Sequence, residues 1–180
     1  MNQSTNLLDY IKVYKIVTPE LCQSVIESAK WRTKPWVVTY GNQTNIYTGV
    51  DCSELDPLLE SKIMLGVSKG LSLYSHEVGP KQNGQPSKLT SGSFRCMINR
   101  YNTGIELENH FDQNAVYNPS ITCIIMLNHE FEGGELVFMD EYPISFNIGE
   151  AVYFPSNFMF THKVTKVTQG TRYTLSIWLK

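Results

Sequence analysis

The chain has 180 residues, of which 42% are hydrophobic and 18% charged, with a formal net charge of −2. That is ordinary globular composition and about one domain of chain, so collagen, coiled coil and wholesale disorder are excluded. A nucleic-acid partner calls for a basic excess that is absent, and no apolar run approaches the roughly 20 residues of a membrane span. Residues Met1 to Lys12 are polar and lack an apolar signal core, so the expectation is a cytoplasmic protein with neither nucleic acid nor membrane as partner.

In chain order, Thr18-Pro19-Glu20-Leu21 reads as a helix start, with Thr18 as the cap and Pro19 at the first helical position. Leu21, Val25, Ile26 and Ala29 then recur at helical spacing. Trp36–Tyr40 and Asn45–Tyr47 read as short strands about a Gly41-Asn42 turn. Together with Trp31, their aromatic rings are either core or one wall of a substrate groove. A second helix opens near Ser53 or Asp56-Pro57 and presents Leu58, Leu59, Ile63, Met64, Val67, Leu71 and Leu73 or Tyr74. The loop over residues 79–93 has little to bury and reads as a binding loop or as disorder.

After Ser93 the period becomes two. Strand candidates are Phe94–Tyr101, Ile105–His110, Ile121–Leu127, Glu135–Met139, Ile144–Asn147, Ala151–Phe154, Thr161–Val164 and Arg172–Leu179. Turn signals such as Glu132-Gly133-Gly134 and Pro155-Ser156-Asn157 separate them. Many short strands with regular turns predict an antiparallel barrel or sandwich, with a jelly roll among the options. The four cysteines show no Cys-x-x-Cys spacing, which argues against a zinc knuckle or redox pair; the expectation is that all four stay reduced and structural.

His110-Phe111-Asp112 places two metal-capable side chains on one strand face. His162 follows on a late strand, where a barrel can bring it back to the first pair. Two histidines and one carboxylate leave coordination positions open and suit non-haem Fe(II). On the final strand Arg172, Thr174, Ser176 and Trp178 share one face, and Tyr173, Leu175, Ile177 and Leu179 the other. If the first face points inward, Arg172 is a cation in a cavity, suited to a carboxylate. His76 is expected to be structural, at the end of the second helix, and His129 to lie in a surface loop. Glu106, Glu108 and Glu135 read as solvated positions, and Gly133-Gly134 as turn geometry.

The stretch from Arg100 to Leu179 resembles the Fe(II)/2-oxoglutarate-dependent dioxygenases, most closely the prolyl 4-hydroxylase-like branch. Tyr101-Asn-Thr-Gly104, His110-Phe-Asp112, Thr122 to Asn128, Phe131 to Leu136, His162 to Thr165 and Gly170 to Trp178 carry the likeness. The resemblance implies a mainly β domain: a double-stranded β-helix core over residues 94–180, and helical support with substrate-side strands and loop over residues 1–93. It further implies His110, Asp112 and His162 as Fe(II) ligands and Arg172 as the partner of the far carboxylate of 2-oxoglutarate. Tyr101, Thr122, Ile124 and Ser176 would line the cosubstrate site. Met126 stands where some relatives carry a tyrosine that assists the arginine. The implied activity is hydroxylation of a C–H bond of a peptidyl proline by O2, with release of succinate and CO2 and with ascorbate as an accessory. A free amino acid or other small metabolite is the rival substrate, and a metal-binding, cupin-like barrel without turnover is the rival class. Nucleic-acid dealkylation fits poorly, because Trp178 stands where that branch carries a second arginine.

Overall fold

The computed structural model describes residues 6–29, 36–37, 48–82, 84–86, 88–92, 94–115 and 117–180. Trp31, Tyr40, Tyr47 and the side chain of Trp36 lie outside the described residues, and the aromatic-groove expectation lies there with them.

A short 3-10 turn, Leu7–Tyr10, leads into β1 (Lys12–Lys15), α1 (Pro19–Ala29), β2 (Trp36–Val37) and β3 (Thr48–Asp51). A second 3-10 turn, Cys52–Glu54, precedes α2 (Pro57–Val78) and a small hairpin, β4 (Lys81–Gln82) and β5 (Gln85–Pro86). Then follow β6 (Phe94–Asn102), β7 (Leu107–His110), β8 (Ile121–Met126), β9 (Phe131–Gly133) and β10 (Leu136–Phe138). The chain ends with β11 (Tyr142–Ile144), β12 (Glu150–Pro155), β13 (His162–Val164) and β14 (Val167–Leu179).

Eight strands form one sheet in the order β1-β12-β8-β14-β6-β3-β2, with β9 pairing to β14 off this path. A facing sheet runs β11-β10-β13-β7. From β6 onward the chain passes repeatedly between the two sheets, which is the jelly-roll pattern of the expected double-stranded β-helix. Two cores result. One lies between the large sheet and the helices and holds Val25, Ile63, Val67, Ile125, Leu175 and Ile177. The other lies between the sheets and holds Leu107, Ile124, Leu136, Phe138, Val152 and Phe154.

The helices begin where the sequence places them. Thr18 Oγ1 accepts from the Leu21 N–H at 3.3 Å. Asp56 caps α2, accepting from Leu58 and Leu59, with Pro57 at the first helical position. The contact face of α2 keeps Ile63, Val67 and Tyr74 of the expected face, adds Gly66 and Gly70, and leaves Leu58 and Leu73 exposed. Small residues set this face. A Cβ on Gly70 would lie 2.3 Å from the Tyr153 hydroxyl oxygen, and that hydroxyl donates to the Val67 carbonyl at 2.9 Å. Glycine at this point lets the helix sit down on β12.

The cysteine expectation is corrected at one pair. Cys52 and Cys96 form a disulfide, with Cα atoms 5.3 Å apart. The cause is register: Asp51, the last residue of β3, is the partner of Met97 in the β3–β6 ladder, so Cys52 just past the strand meets Cys96 of β6. Cys22 and Cys123 are buried free thiols. Strand β1 escapes the sequence reading because its residues alternate between half-buried and exposed on a sheet edge. Residues 88–92 are anchored rather than free: the Ser91 N–H and hydroxyl and the Gly92 N–H all reach the Lys180 carbonyl. Among the described residues, no helix is long and apolar enough to cross a membrane.

Candidate metal and cosubstrate centre

His110 ends β7 and His162 begins β13; the two are partners across the β7–β13 ladder. Asp112 follows β7 after one outward residue, Phe111, whose ring is exposed. The nitrogen and carboxylate atoms of the three residues lie within 4.8 Å of one another. His110 Nε2 is 3.8 Å from Asp112 Oδ1, and His162 Nε2 is 3.7 Å from Asp112 Oδ2.

Both imidazoles are oriented from behind. His110 Nδ1 lies 2.8 Å from the Glu108 carbonyl, and His162 Nδ1 lies 3.2 Å from the Phe160 carbonyl. A carbonyl only accepts, so each Nδ1 is the donor to it, and each Nε2 is turned toward Asp112. Burial pulls the His162 pKa down to about 4, against the opposing pull of Asp112, so its imidazole is neutral and able to ligate at neutral pH. Phe154 meets that ring edge to face and Phe138 lies tilted against it, with centroids 4.8 Å and 5.5 Å away.

A cavity with about 380 Å³ of open space, mouth included, adjoins these residues. Tyr101, Ile124, Arg172, Thr174, Ser176 and Trp178 are among the residues that line it. The polar face of β14 therefore points inward, while Leu175, Ile177 and Leu179 belong to the helix-side core. Arg172 is only 1% exposed, and among the described residues its Nε and Nη2 have no hydrogen-bond partner. Its guanidinium stands 5.2 Å from the centre of the Tyr101 ring. Burial lowers its pKa to about 10, which leaves it charged at neutral pH. Tyr101 is raised to about 12, again by burial, with Arg172 pulling the other way.

The donor set suits ferrous iron: two imidazoles and one carboxylate on one side of an ion leave the other side open. The guanidinium, with no carboxylate paired to it among the described residues, suits a carboxylate ligand, since a buried cation without a counter-ion is costly. Thus His110, Asp112, His162, Arg172, Tyr101, Thr122, Ile124 and Ser176 all come together around one cavity. Met126 is buried on the same face of β8. His76, His129, Glu106, Glu108 and Glu135 are exposed. Sequence reasoning missed Ser156 and Asn99, buried polar residues that bond to Thr122 and Ser176. Ser156 sits in what reads as an ordinary turn signal, and nothing in its local sequence marks it as buried.

Residues 96–180 match the family model of the 2OG-Fe(II) oxygenase superfamily. The chain is 34% identical over 79 residues to a PKHD-type hydroxylase of Psychrobacter sp. (strain PRwf-1), which covers 41% of this chain and 30% of that protein. It is 26% identical over 189 aligned residues to a PKHD-type hydroxylase of Cupriavidus metallidurans, covering 93% of this chain and 76% of the relative. The chain therefore spans under a third of the first relative and about three quarters of the second. A solved structure, the viral collagen prolyl hydroxylase of Paramecium Bursaria Chlorella virus-1 in complex with 2OG, matches with a TM-score of 0.66 at 16% identity. That match covers 94% of each chain, and at such low identity it speaks for the fold. The matched residues 96–180 are the ones that carry the two histidines, the aspartate and the buried arginine, and over them the chain is similar to the 2OG-Fe(II) oxygenase superfamily.

Proposed function

We propose that the protein is an Fe(II)- and 2-oxoglutarate-dependent hydroxylase acting on a peptidyl proline. One observation carries this reading: three ligand atoms converge beside a buried guanidinium whose Nε and Nη2 find no hydrogen-bond partner among the described residues, in the same cavity. His110, Asp112 and His162 hold the iron. When bound, the iron and its cosubstrate supply oxidation of a C–H bond coupled to loss of CO2 and formation of succinate.

The protein's own part is binding and orientation. Arg172 pairs with the far carboxylate of 2-oxoglutarate, and the Tyr101 ring beside its guanidinium restricts the plane of the fork. Ile124 and Leu107 exclude water from the cosubstrate chain, and Ser176 offers a hydroxyl that Asn99 Nδ2 holds at 2.8 Å. Trp178 is half-buried, so part of its ring reaches the surface at the cavity. Its carbonyl accepts from the Tyr117 hydroxyl at 2.8 Å.

The peptidyl proline is carried over from the viral structure, that of a collagen prolyl hydroxylase. A cytoplasmic setting goes with the reading, and the Cys52–Cys96 disulfide pulls against it, since reducing compartments keep thiols reduced.

The test is an anaerobic titration of the apo-protein with Fe(II) and 2-oxoglutarate, followed through the visible charge-transfer band of chelated cosubstrate. A band that needs both components, followed by succinate release with proline peptides, supports the reading. Bound iron without the band leaves a metal-stabilised barrel. A band with turnover of free amino acids but not peptides moves the substrate to small metabolites.

A further inference from the structure

We propose that Thr122, backed by Ser156, is a positioning residue that fixes the Asp112 carboxylate in its metal-binding pose. The proposal rests on the triad reading above and deepens it. Asp112 lies beyond the end of β7, so no ladder hydrogen bond of its own holds it. The histidines are each held by a backbone carbonyl; the aspartate needs a different device.

Thr122 supplies it. Its Oγ1 donates to Asp112 Oδ2 at 2.6 Å, the length of a charge-assisted O–H···O bond. A hydroxyl has one proton, and the carboxylate can only accept it. The second contact of Thr122 Oγ1, 2.9 Å from Ser156 Oγ, therefore has Ser156 as donor. Proton donation runs in one direction, from Ser156 to Thr122 to Asp112.

The chain is rigid at both ends. Thr122 stands on β8 between Phe154 of β12 and Trp178 of β14, and both hydroxyl residues are 1% exposed. Ser156 also accepts from the Gln113 N–H at 2.9 Å and donates its own N–H to the Ser120 carbonyl at 3.1 Å. One residue thus braces the loop that carries Asp112 and the start of the strand that carries Thr122. With its only proton committed, Thr122 cannot donate to a cosubstrate, so its place in the cavity wall is that of a support for a ligand. Engaging one carboxylate oxygen favours ligation through a single oxygen and keeps further positions on the ion open.

The experiment titrates Co(II), a spectroscopic substitute for ferrous iron, into the wild-type chain and the variants Thr122→Val, Thr122→Ser, Ser156→Ala and His162→Ala. The melting temperature of each apo-protein is recorded alongside. Thr122→Val keeps the shape and removes the hydroxyl; its Co(II) affinity is expected to fall by about 10–100-fold with a changed visible band. Thr122→Ser restores both, and Ser156→Ala gives a smaller loss than Thr122→Val. Wild-type affinity and band in Thr122→Val overturn the proposal. Should that variant not fold, unchanged affinity and band in Ser156→Ala overturn it instead. The triad reading fails separately, if wild type binds no Co(II) or if His162→Ala binds it as tightly as wild type.

Discussion

The large sheet has two faces that differ in kind. Toward the helices it presents Ile98, Cys123, Ile125, Ala151, Leu175 and Ile177, an apolar surface closed by α1 and α2. Toward the small sheet the same strands present Asn99, Thr122, Arg172, Thr174 and Ser176, buried polar groups around a cavity. Strand parity is what separates them: on β14 from Arg172 onward the odd residues hold the fold and the even ones line the site. The inner face spends stability on a buried, unpaired cation, while the outer face supplies the burial that tolerates it.

The largest effect that sharpens this contrast comes from Arg172→Met. Each hydrogen bond to a charged group is worth about 1.5–3 kcal/mol, so loss of the fork should weaken 2-oxoglutarate binding by at least about 100-fold. The melting temperature of the apo-protein should stay level or rise, because the substitution removes a buried charge and keeps an apolar stem. Calorimetric titration of the metal-loaded protein and a thermal melt of the apo-protein check the two halves. Leu175→Ala is the mirror image. Leu175 is fully buried on the helix side, and the truncation should cost about 2–5 kcal/mol in urea unfolding. The folded fraction should keep its 2-oxoglutarate affinity. If Leu175→Ala moves that affinity as far as Arg172→Met does, the two faces are coupled and the division fails.

The sequence makes this division visible because period-two alternation survives along β14 from Arg172 onward, where one face is apolar and the other largely polar. His110-x-Asp112 is legible by the same spacing, although β7 ends at His110 and Asp112 comes to the same side just past the strand, after the outward Phe111. The Cys52–Cys96 bond is not legible, since it depends on which strand lies beside β3, a fact of topology rather than of local pattern. The contact face of α2 misleads in a different way. Leu58 and Leu73 carry the larger apolar area, yet the helix is seated through Gly66 and Gly70, because closeness of approach rather than hydrophobicity decides the docking side. Ser156 is hidden because serine after proline reads as a turn whether it faces water or a buried hydroxyl.

A smaller effect is expected from the disulfide, which closes a 44-residue separation containing α2. Replacing both cysteines by alanine should cost about 2–4 kcal/mol through the unfolded chain, measured by thermal melts with and without reductant. It touches the helix side alone, so the visible band of the iron–cosubstrate complex should keep its position and its half-saturation.

The smallest predicted effect falls where the faces meet the packing of Arg172 itself. Gly134 has φ +63°, and a Cβ there would lie 2.9 Å from Arg172 Cδ and 3.1 Å from Val167 Cγ2. Gly104, with φ +89°, has nothing within 4 Å of its notional Cβ. Alanine at either position bears the left-handed backbone penalty, about 1 kcal/mol, but only at position 134 does it also push on the arginine stem. Gly104→Ala should therefore lower stability and leave 2-oxoglutarate affinity alone. Gly134→Ala should lower both, with a several-fold loss of affinity measured by the same titration as for Arg172→Met. Equal affinity in the two variants would mean that the guanidinium is aimed by its own strand and by Tyr101, with no help from the room that glycine leaves behind it.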